Sequence, residues 1–271
     1  MPNIEKAKIA KTSIEKTTKI AKSFGAASTS YDVSARLQRY SGKHLMPWLP
    51  NRNDLTVVDL GCGTGFFTDI LASKYQQVIG LDISTKMLSF AKQNRDQDIF
   101  WLEGDANCIP LQDNSVDLIY SNLMIQWLDP LDVALKEILR VLKPGGVFLF
   151  STLTDGTLFE LKSSWKQVDD DQHVIEFKAE AELENLLNSN ESTLIEQKSQ
   201  QIILEYENVM HLARELKGLG ANKVHDRKNK GLSGKSKWKK MCSAYQDFQE
   251  PNGIYPASYN VYSGLMVKLN P

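Results

Sequence analysis

The stretch TVVDLGCGTG at residues 56–65 decides the fold. A run of apolar and β-branched residues ends near an acid, glycines follow at three alternate positions, and a helical pattern continues over residues 66–74. Glycine adopts left-handed backbone angles and leaves main-chain atoms open to a ligand, so the pattern predicts a buried parallel strand, a sharp turn and a helix. Such a unit marks the ligand crevice of a doubly wound α/β sheet.

The second predicted strand ends in an acid, Asp82, about twenty residues after the turn. Nicotinamide dinucleotides and S-adenosylmethionine are both bound by such a turn and by an acid that accepts hydrogen bonds from ribose hydroxyls. Three features favour the methyl donor. Phenylalanines replace the third glycine of the dinucleotide pattern, Asp59 precedes the turn where it can meet a cationic amino group, and Asp105 follows the third strand where it can accept from an adenine amino group.

Four landmarks, in matching order and spacing, resemble the motifs of the class I S-adenosylmethionine-dependent methyltransferases. They are residues 59–65, Asp82, Gly104-Asp105-Ala106 and the LKPGG turn at 142–146. The resemblance implies an α/β fold, a Rossmann-like, doubly wound, mostly parallel seven-stranded sheet with helices on both faces. It also implies a site for S-adenosylmethionine formed by these residues: Asp59, Gly61, Cys62, Gly63, Gly65, Asp82, Ile83, Met87, Gly104, Asp105, Ala106 and Asn122.

The chain divides into four consecutive parts. Residues 1–50 form a lysine-rich arm and a helical segment expected to lie over the cofactor, and residues 51–206 form the cofactor-binding core. Residues 207–256 are too long for an ordinary loop and predict an inserted helical lid, whose first helix Gly218 is expected to end. Residues 257–271 supply the last core strand. The predicted strands are 56–60, 78–82, 99–102, 116–121, 146–152, 194–206 and 259–269.

The composition limits which classes of partner and which cellular compartment are expected. Lys plus Arg number 32 and Asp plus Glu 33 in 271 residues, so the chain as a whole does not attract nucleic acid or a membrane. Three widely spaced cysteines without a CxxC pair argue against a disulfide framework and against a zinc site. No apolar run approaches about 18 residues, and the start lacks the apolar core of a signal peptide. These features predict a soluble cytoplasmic protein.

The stretch SNLMIQWL at residues 121–128 follows the fourth strand, where the transferred methyl group is expected. It lacks the Asn/Asp-Pro-Pro-Tyr/Phe sequence by which N-methylases of bases and of glutamine hold a poorly nucleophilic amine. No histidine lies near it in sequence to deprotonate an alcohol. A carboxylate is already ionised and needs no base, so its catalysis reduces to placing oxygen against the sulfonium methyl in a dry site.

Further residues resemble the family of malonyl-acyl-carrier-protein O-methyltransferases, which start pimeloyl synthesis for biotin. They are Phe24-Gly25-Ala26-Ala27, Tyr31, Gln126-Trp127 and the LKGLGAN sequence at 216–222. The likeness covers nearly the whole chain, which departs from the family in its longer basic arm and in a lid rich in lysine rather than arginine. It implies methyl transfer to the free carboxylate of a malonyl thioester, so that fatty-acid enzymes elongate the product as an ordinary acyl group.

Four residues are candidates for the substrate carboxylate and its surroundings. Arg214 lies one turn before the end of the first lid helix, and a guanidinium group suits bidentate binding of a carboxylate. Tyr31 and Gln126 are expected to donate hydrogen bonds, and Trp127 is expected to form a wall. A surface ion pair for Arg214 and a packing role for Trp127 stay open as alternatives.

The lid contains a basic run, Lys223–Lys240, in an otherwise neutral chain, with Asp226 as its one acid. Acyl carrier proteins are acidic, so this run favours docking of a malonyl-acyl carrier protein. A solvated loop is the alternative, and RNA is disfavoured because the run has few aromatic residues for base stacking. A methyltransferase of a small lipid-like or quinone precursor, a protein that only binds its partner, a dehydrogenase, and a coenzyme A thioester as substrate also stay open.

Overall fold

The computed structural model describes residue 15 and residues 17–95, 98–189, 191–221 and 233–270. Its strands form one sheet in the order β3-β2-β1-β4-β5-β7-β6, in which β7 alone runs antiparallel to its neighbours. The predicted seven-stranded, mostly parallel sheet is therefore confirmed. The strands are β1 Thr56–Leu60, β2 Gln77–Asp82, β3 Phe100–Glu103, β4 Val116–Asn122, β5 Leu142–Leu153, β6 Ser192–Tyr206 and β7 Tyr255–Lys268.

Helices cover the sheet, precede its first strand and connect its strands. The described helices are α1 at residues 17–26, α2 Tyr31–Ser34, α3 Arg36–Leu45, α4 Phe66–Ala72, α5 Thr85–Asn94, α6 Leu131–Val141, α7 Phe159–Lys166, α8 Glu180–Leu187, α9 Val209–Gly218 and α10 Ser233–Ala244. Ser84 caps α5 by accepting a hydrogen bond from the Met87 amide, which satisfies an amide of the first turn. None of the described helices is both long and apolar enough to cross a bilayer.

Both faces of the central strands are buried, as the apolar sequence of β1 predicted. Along β4, Ile119 packs into the cluster formed with α6 and α8, while its neighbours Leu118 and Tyr120 pack into the cluster formed with α3 and α4. Successive side chains of a strand point to opposite faces, so each face of the sheet has its own apolar layer. This double layer holds the ends of β1 and β4 in fixed positions.

Two strands begin four residues earlier than the sequence predicted, because pairing extends them. β5 begins at Leu142, which pairs with Val116 of β4, rather than at residue 146. β7 begins at Tyr255, which pairs with Tyr206 at the end of β6, rather than at residue 259. The segment before the last strand therefore ends at residue 254, two residues before the predicted end of the insertion.

The amino-terminal helices are fastened between the glycine turn and the insertion. The Asp32 carboxylate of α2 accepts hydrogen bonds from the Thr64 hydroxyl in the turn and from the Arg95 guanidinium group. On the other side, the Ser23 hydroxyl donates to the Gly220 carbonyl oxygen at 2.8 Å, and the Ser30 hydroxyl donates to a carbonyl at the end of α9 at 3.0 Å. These bonds close α1 and α2 over the carboxyl ends of the strands.

The helix α9 ends differently from the prediction. Gly218 is its last helical residue, and the left-handed residue that terminates it is Gly220, with φ of 77°. A Cβ atom on Gly218 would lie 2.2 Å from the Ser34 hydroxyl oxygen, so this glycine serves the close approach of α9 to α2. Sequence reasoning assigned the helix-ending role to the wrong glycine of the pair.

Candidate active site

The site lies where β1 and β4 are neighbours although they are not consecutive in the chain. Strand order reverses at this point, so the loops after the two strands diverge and leave a crevice. Three adjoining cavities occupy it. We name them the turn cavity, beside the glycine turn and α1, the acid pocket, beside Asp59 and α3, and the apolar cavity, beneath α9 and α10.

The glycine turn and Asp82 form one wall of the turn cavity. Gly61 and Gly63 have φ angles of 76° and 55°, which residues with side chains rarely adopt. The Asp82 carboxylate accepts the Gly63 amide at 2.9 Å and the Ser84 amide at 2.7 Å. Burial raises the pKa of Asp82, and these backbone bonds oppose the rise. Each carboxylate oxygen keeps a further lone pair for a ligand hydroxyl.

Most of the other predicted cofactor residues also line the turn cavity. They are Ile83, Met87, Gly104, Asp105, Ala106 and Asn122. One oxygen of Asp105 accepts the Asn107 amide at 2.8 Å, which fixes the carboxylate at the cavity edge. The structure thus brings together on one wall residues that the sequence separates by more than sixty positions.

Three predicted cofactor residues lie outside the turn cavity: Gly65, Cys62 and Asp59. Gly65 is the residue before α4, has φ of 75° and does not line the three cavities, and a Cβ atom there would lie 2.4 Å from the Trp101 ring. Cys62 lines the acid pocket, where burial raises the pKa of its thiol well above the usual value. A thiol that stays protonated is a poor nucleophile, so Cys62 acts as a small wall residue.

The acid pocket contains Asp59 on one side and α3 on the other. Asp59 is buried and accepts the Thr68 hydroxyl at 2.6 Å, and burial raises its pKa to about 7. Opposite, Gln38 Oε1 and Arg39 Nε are buried without a hydrogen-bond partner in the described part of the chain. A buried unpaired polar atom costs about 1–3 kcal/mol.

These unpaired atoms fit a ligand that carries an ammonium and a carboxylate group, as the methionine end of S-adenosylmethionine does. The acid pocket offers an acid for the first group and an arginine for the second. Sequence reasoning found Asp59 and missed Gln38 and Arg39, which precede the core on a helix without a motif. The one signal was two arginines three residues apart, Arg36 and Arg39, in an amphipathic helix.

Tyr31 lies at the junction of the three cavities and lines all of them. Burial, with the carboxylates of Asp82, Asp32 and Asp59, raises the pKa of its hydroxyl, which therefore stays protonated and can donate a hydrogen bond. Phe24 also lines the turn and apolar cavities. The junction has an acidic side, a phenol and an aromatic wall.

Trp127 and Leu123 complete the wall between the turn and apolar cavities. The Trp127 ring meets the Phe24 ring edge to face, with centroids 5.2 Å apart. Leu123 has φ of 50°, a strained angle for a leucine, and its amide is held by Ser151. Strain of this kind is concentrated at functional sites.

Two predicted site residues use their amide groups internally. Asn122 donates to the Gln38 carbonyl oxygen at 2.9 Å and accepts from the Ser151 hydroxyl at 2.8 Å, so it joins α3 to the sheet. Gln126 lines the apolar cavity, donates to the Leu123 carbonyl oxygen at 2.8 Å and accepts from the Thr152 hydroxyl at 3.3 Å. Both residues hold the wall around the junction in place.

The apolar cavity has a volume of about 490 Å³ and a mostly hydrophobic and aromatic lining. Arg214, the predicted carboxylate-binding residue, is exposed on α9 and is not among the residues that line the cavities. Its neighbour Lys217 lines the apolar cavity. Glu215 does so as well, and it is paired with Arg36 at 2.9 Å and accepts from the Tyr206 hydroxyl at 2.9 Å.

Comparison with known proteins agrees with this geometry. Residues 58–150 match a family model described as a methyltransferase domain. The BH2331 protein of Bacillus halodurans C-125 has the same fold, with a TM-score of 0.62 and 17% identity over 84% of this chain and 98% of that one. Fold and site together define a class I S-adenosylmethionine-dependent methyltransferase.

The family follows from sequence relatives. The chain is 36% identical over 249 residues to the malonyl-[acyl-carrier protein] O-methyltransferase of Pectobacterium atrosepticum, which covers 92% of this chain and 96% of that protein. The chain belongs to the malonyl-[acyl-carrier protein] O-methyltransferase family. It is also 40% identical over 251 residues to the biotin biosynthesis bifunctional protein BioHC of Cellvibrio japonicus. That match covers 92% of this chain, which spans half the length of the bifunctional relative.

Proposed function

We propose that this chain transfers a methyl group to the free carboxylate of a malonyl thioester on acyl carrier protein. The observation that carries the proposal is the shared wall of Phe24, Tyr31, Leu123 and Trp127, across which the turn cavity meets the apolar cavity. S-adenosylmethionine supplies an electrophilic methyl group on a sulfonium ion. The carboxylate oxygen forms the new bond to carbon as the carbon–sulfur bond breaks, and no proton moves.

The turn cavity and the acid pocket would hold the cofactor by its polar ends. Asp59 and the unpaired Gln38 Oε1 would accept hydrogen bonds from the ammonium group, and Arg39 would donate to the carboxylate of the methionine end. Asp82 would accept from the ribose hydroxyls and Asp105 from the adenine amino group. Support for this comes from the unpaired Gln38 and Arg39 atoms and from the spare lone pairs of Asp82. Each contact would include at least one ionised group, and hydrogen bonds of this kind are stronger than those between neutral groups.

At the junction the chain would position the substrate and exclude water. The protonated Tyr31 hydroxyl would donate to the substrate carboxylate, and Phe24 and Trp127 would keep the reacting atoms dry. Carboxylates are ionised at neutral pH, so the step requires placement and not a general base. The cation that would neutralise the carboxylate is Arg214, the sequence prediction, or Lys217, which lies one turn away and lines the apolar cavity.

The lid would dock the carrier protein through α10. Lys235, Lys239 and Lys240 are exposed there, and none has a carboxylate within ion-pair distance in the described part of the chain. Lys237 is different, because it is paired with Asp169 at 2.7 Å. Residues 223–232 of the predicted basic run lie outside the described residues. An exposed cationic face would steer an acidic carrier towards the mouth of the apolar cavity.

The test is release of S-adenosylhomocysteine from S-adenosylmethionine and either malonyl-loaded or acetyl-loaded acyl carrier protein. Only the malonyl form has a free carboxylate, so we expect release with that form alone. Release with both forms would contradict carboxylate methylation. No release with either form, together with measurable cofactor binding, would point to a small-molecule substrate.

A further inference from the structure

A histidine lies in the wall of the apolar cavity, on the segment between α7 and α8. His173 is 6% exposed, and its ring stacks on Trp165 with centroids 3.6 Å apart and an interplanar angle of 6°. In the mostly hydrophobic lining of this cavity, an imidazole introduces a directional hydrogen-bonding group. The stack fixes the plane of the ring, and so the direction in which its nitrogens point.

One ring nitrogen of His173 has a partner and the other does not. Nε2 lies 2.7 Å from an Asp169 carboxylate oxygen. Nδ1 is buried without a hydrogen-bond partner in the described part of the chain. Burial works to raise the pKa of Asp169, but hydrogen bonds from Lys237 and His173 outweigh it and lower the pKa to about 2. Asp169 is therefore an ionised acceptor at neutral pH, and Nε2 carries the hydrogen.

This tautomer defines what Nδ1 can bind. In a neutral imidazole with the hydrogen on Nε2, Nδ1 presents a lone pair and needs a donor. The malonyl end of the substrate carries a carboxylate and a thioester carbonyl, which only accept. The pantetheine arm that joins the thioester to a carrier protein has secondary amide N–H groups, which donate.

We propose that His173 Nδ1 accepts a hydrogen bond from an amide N–H of the pantetheine arm, so that the apolar cavity is the channel of that arm. The inference rests on the proposed function, because it takes the thioester to be the substrate. It adds a specificity residue that recognises the arm, whereas the junction recognises the carboxylate. The cavity volume of about 490 Å³ and its apolar lining suit a long, largely uncharged chain.

The neighbouring acids have a different partner. Ligand atoms of Asp169, Asp171 and His173 lie within 4.8 Å of one another, a spacing that suits a metal ion. The Lys237 ammonium lies 2.7 Å from Asp169 and 3.8 Å from Asp171, so α10 already brings a positive charge to these carboxylates. Asp169 Oδ2 has the Lys237 ammonium beside it, so Nδ1 is the atom of the cluster that has no polar partner in the described part of the chain. The positive charge of Lys237 disfavours a metal ion there, and the Nδ1 lone pair is left for an uncharged donor.

The test compares two malonyl thioesters, malonyl-pantetheine and the S-ethyl thioester, which has no amide. His173→Phe keeps an aromatic ring on Trp165 and removes Nδ1. We expect it to raise KM for malonyl-pantetheine about tenfold, the loss of one buried hydrogen bond, and to change KM for the S-ethyl thioester less than about twofold. His173→Asn, whose amide oxygen can replace Nδ1 as acceptor, should restore most of the affinity for malonyl-pantetheine.

His44→Phe is the matched control, because His44 also stacks on an aromatic ring, Tyr40, but lies outside the three cavities. It should leave KM for both thioesters unchanged. An equal rise of KM for both thioesters in His173→Phe would overturn the inference. A His173→Asn variant whose KM for malonyl-pantetheine is as high as that of His173→Phe would overturn it as well. Failure of the unaltered protein to methylate either thioester would instead contradict the proposed function.

Discussion

The raised pKa of Asp59 leads to a prediction of how affinity for the cofactor depends on pH. Burial raises the pKa of its carboxyl group to about 7, the Thr68 hydrogen bond opposes the rise, and the nearby Asp82 carboxylate adds to it. An ammonium group binds the ionised form, so binding should release a proton whenever Asp59 is protonated in the free protein. About 90% of the molecules have Asp59 ionised at pH 8 and about 10% at pH 6, so the contribution of Asp59 should lower the affinity about tenfold, or about 1.4 kcal/mol, over this range.

The assay is calorimetric titration with S-adenosylhomocysteine at several pH values between 6 and 8. The amino group of the ligand itself titrates at a pKa of about 7.7–8.0 if it resembles an ordinary α-amino group. Asp59→Asn keeps that contribution and can keep the hydrogen bond from Thr68, so the difference between the two proteins isolates Asp59. At pH 6, titrations in two buffers of different ionisation enthalpy should give release of close to one proton by the unaltered protein.

The reasoning fails if the two proteins have the same pH dependence. Parallel curves would mean that Asp59 does not meet the ammonium group, or that it is already ionised at pH 6. Thermal unfolding of Asp59→Asn at both pH values serves as the control for folding. An affinity of the unaltered protein that rises as the pH falls would reverse the predicted sign and would equally refute the assignment.

Three further predictions concern the ribose contact, the substrate carboxylate and the docking surface of the lid. Asp82→Ala should weaken cofactor binding about tenfold to a hundredfold, because hydrogen bonds to a charged group contribute about 1.5–3 kcal/mol; unchanged affinity by calorimetry would contradict the ribose assignment. Arg214→Ala should lower turnover of the malonyl carrier and leave cofactor binding nearly intact, whereas equal loss of both would indicate a role in folding. Lys235→Glu with Lys239→Glu should raise KM for the carrier several-fold at low salt and less at high salt. Lys92→Glu, a charge reversal at an exposed position on α5, should leave KM for the carrier unchanged. An equal rise of KM in this variant and in the lid variant would argue against docking on the lid.

Much of the turn cavity could be predicted from the sequence, because its residues act on close neighbours in the chain. Gly61 and Gly63 need left-handed angles to turn from β1 towards α4, and that need is local. Asp82 is joined to the turn because β2 lies beside β1 in the sheet, a pairing that the parallel strand order makes regular. Within one strand-turn-helix unit and its neighbouring strand, spacing determines position.

Other parts of the site depend on contacts between distant segments. Gln38 and Arg39 precede the core and carry no motif, yet packing of α3 brings them opposite Asp59. Lys237 belongs to the basic run by sequence, but Asp169 holds it near the apolar cavity, away from the exposed lysines. Arg214 was predicted as the carboxylate-binding residue from its guanidinium group and its place near the end of α9, and packing of α9 leaves it exposed.

The sequence by itself determined the sheet, the cofactor class and the acid at the end of β2, Asp82, that contacts the turn, because each follows from backbone angles and from periodic burial within short segments. Only the tertiary structure decided which polar atoms remain unpaired, such as Arg39 Nε and His173 Nδ1. The physical reason is that hydrogen bonds are directional and short-ranged. Whether a buried atom finds a partner depends on how segments far apart in sequence pack, and sequence spacing does not constrain that packing.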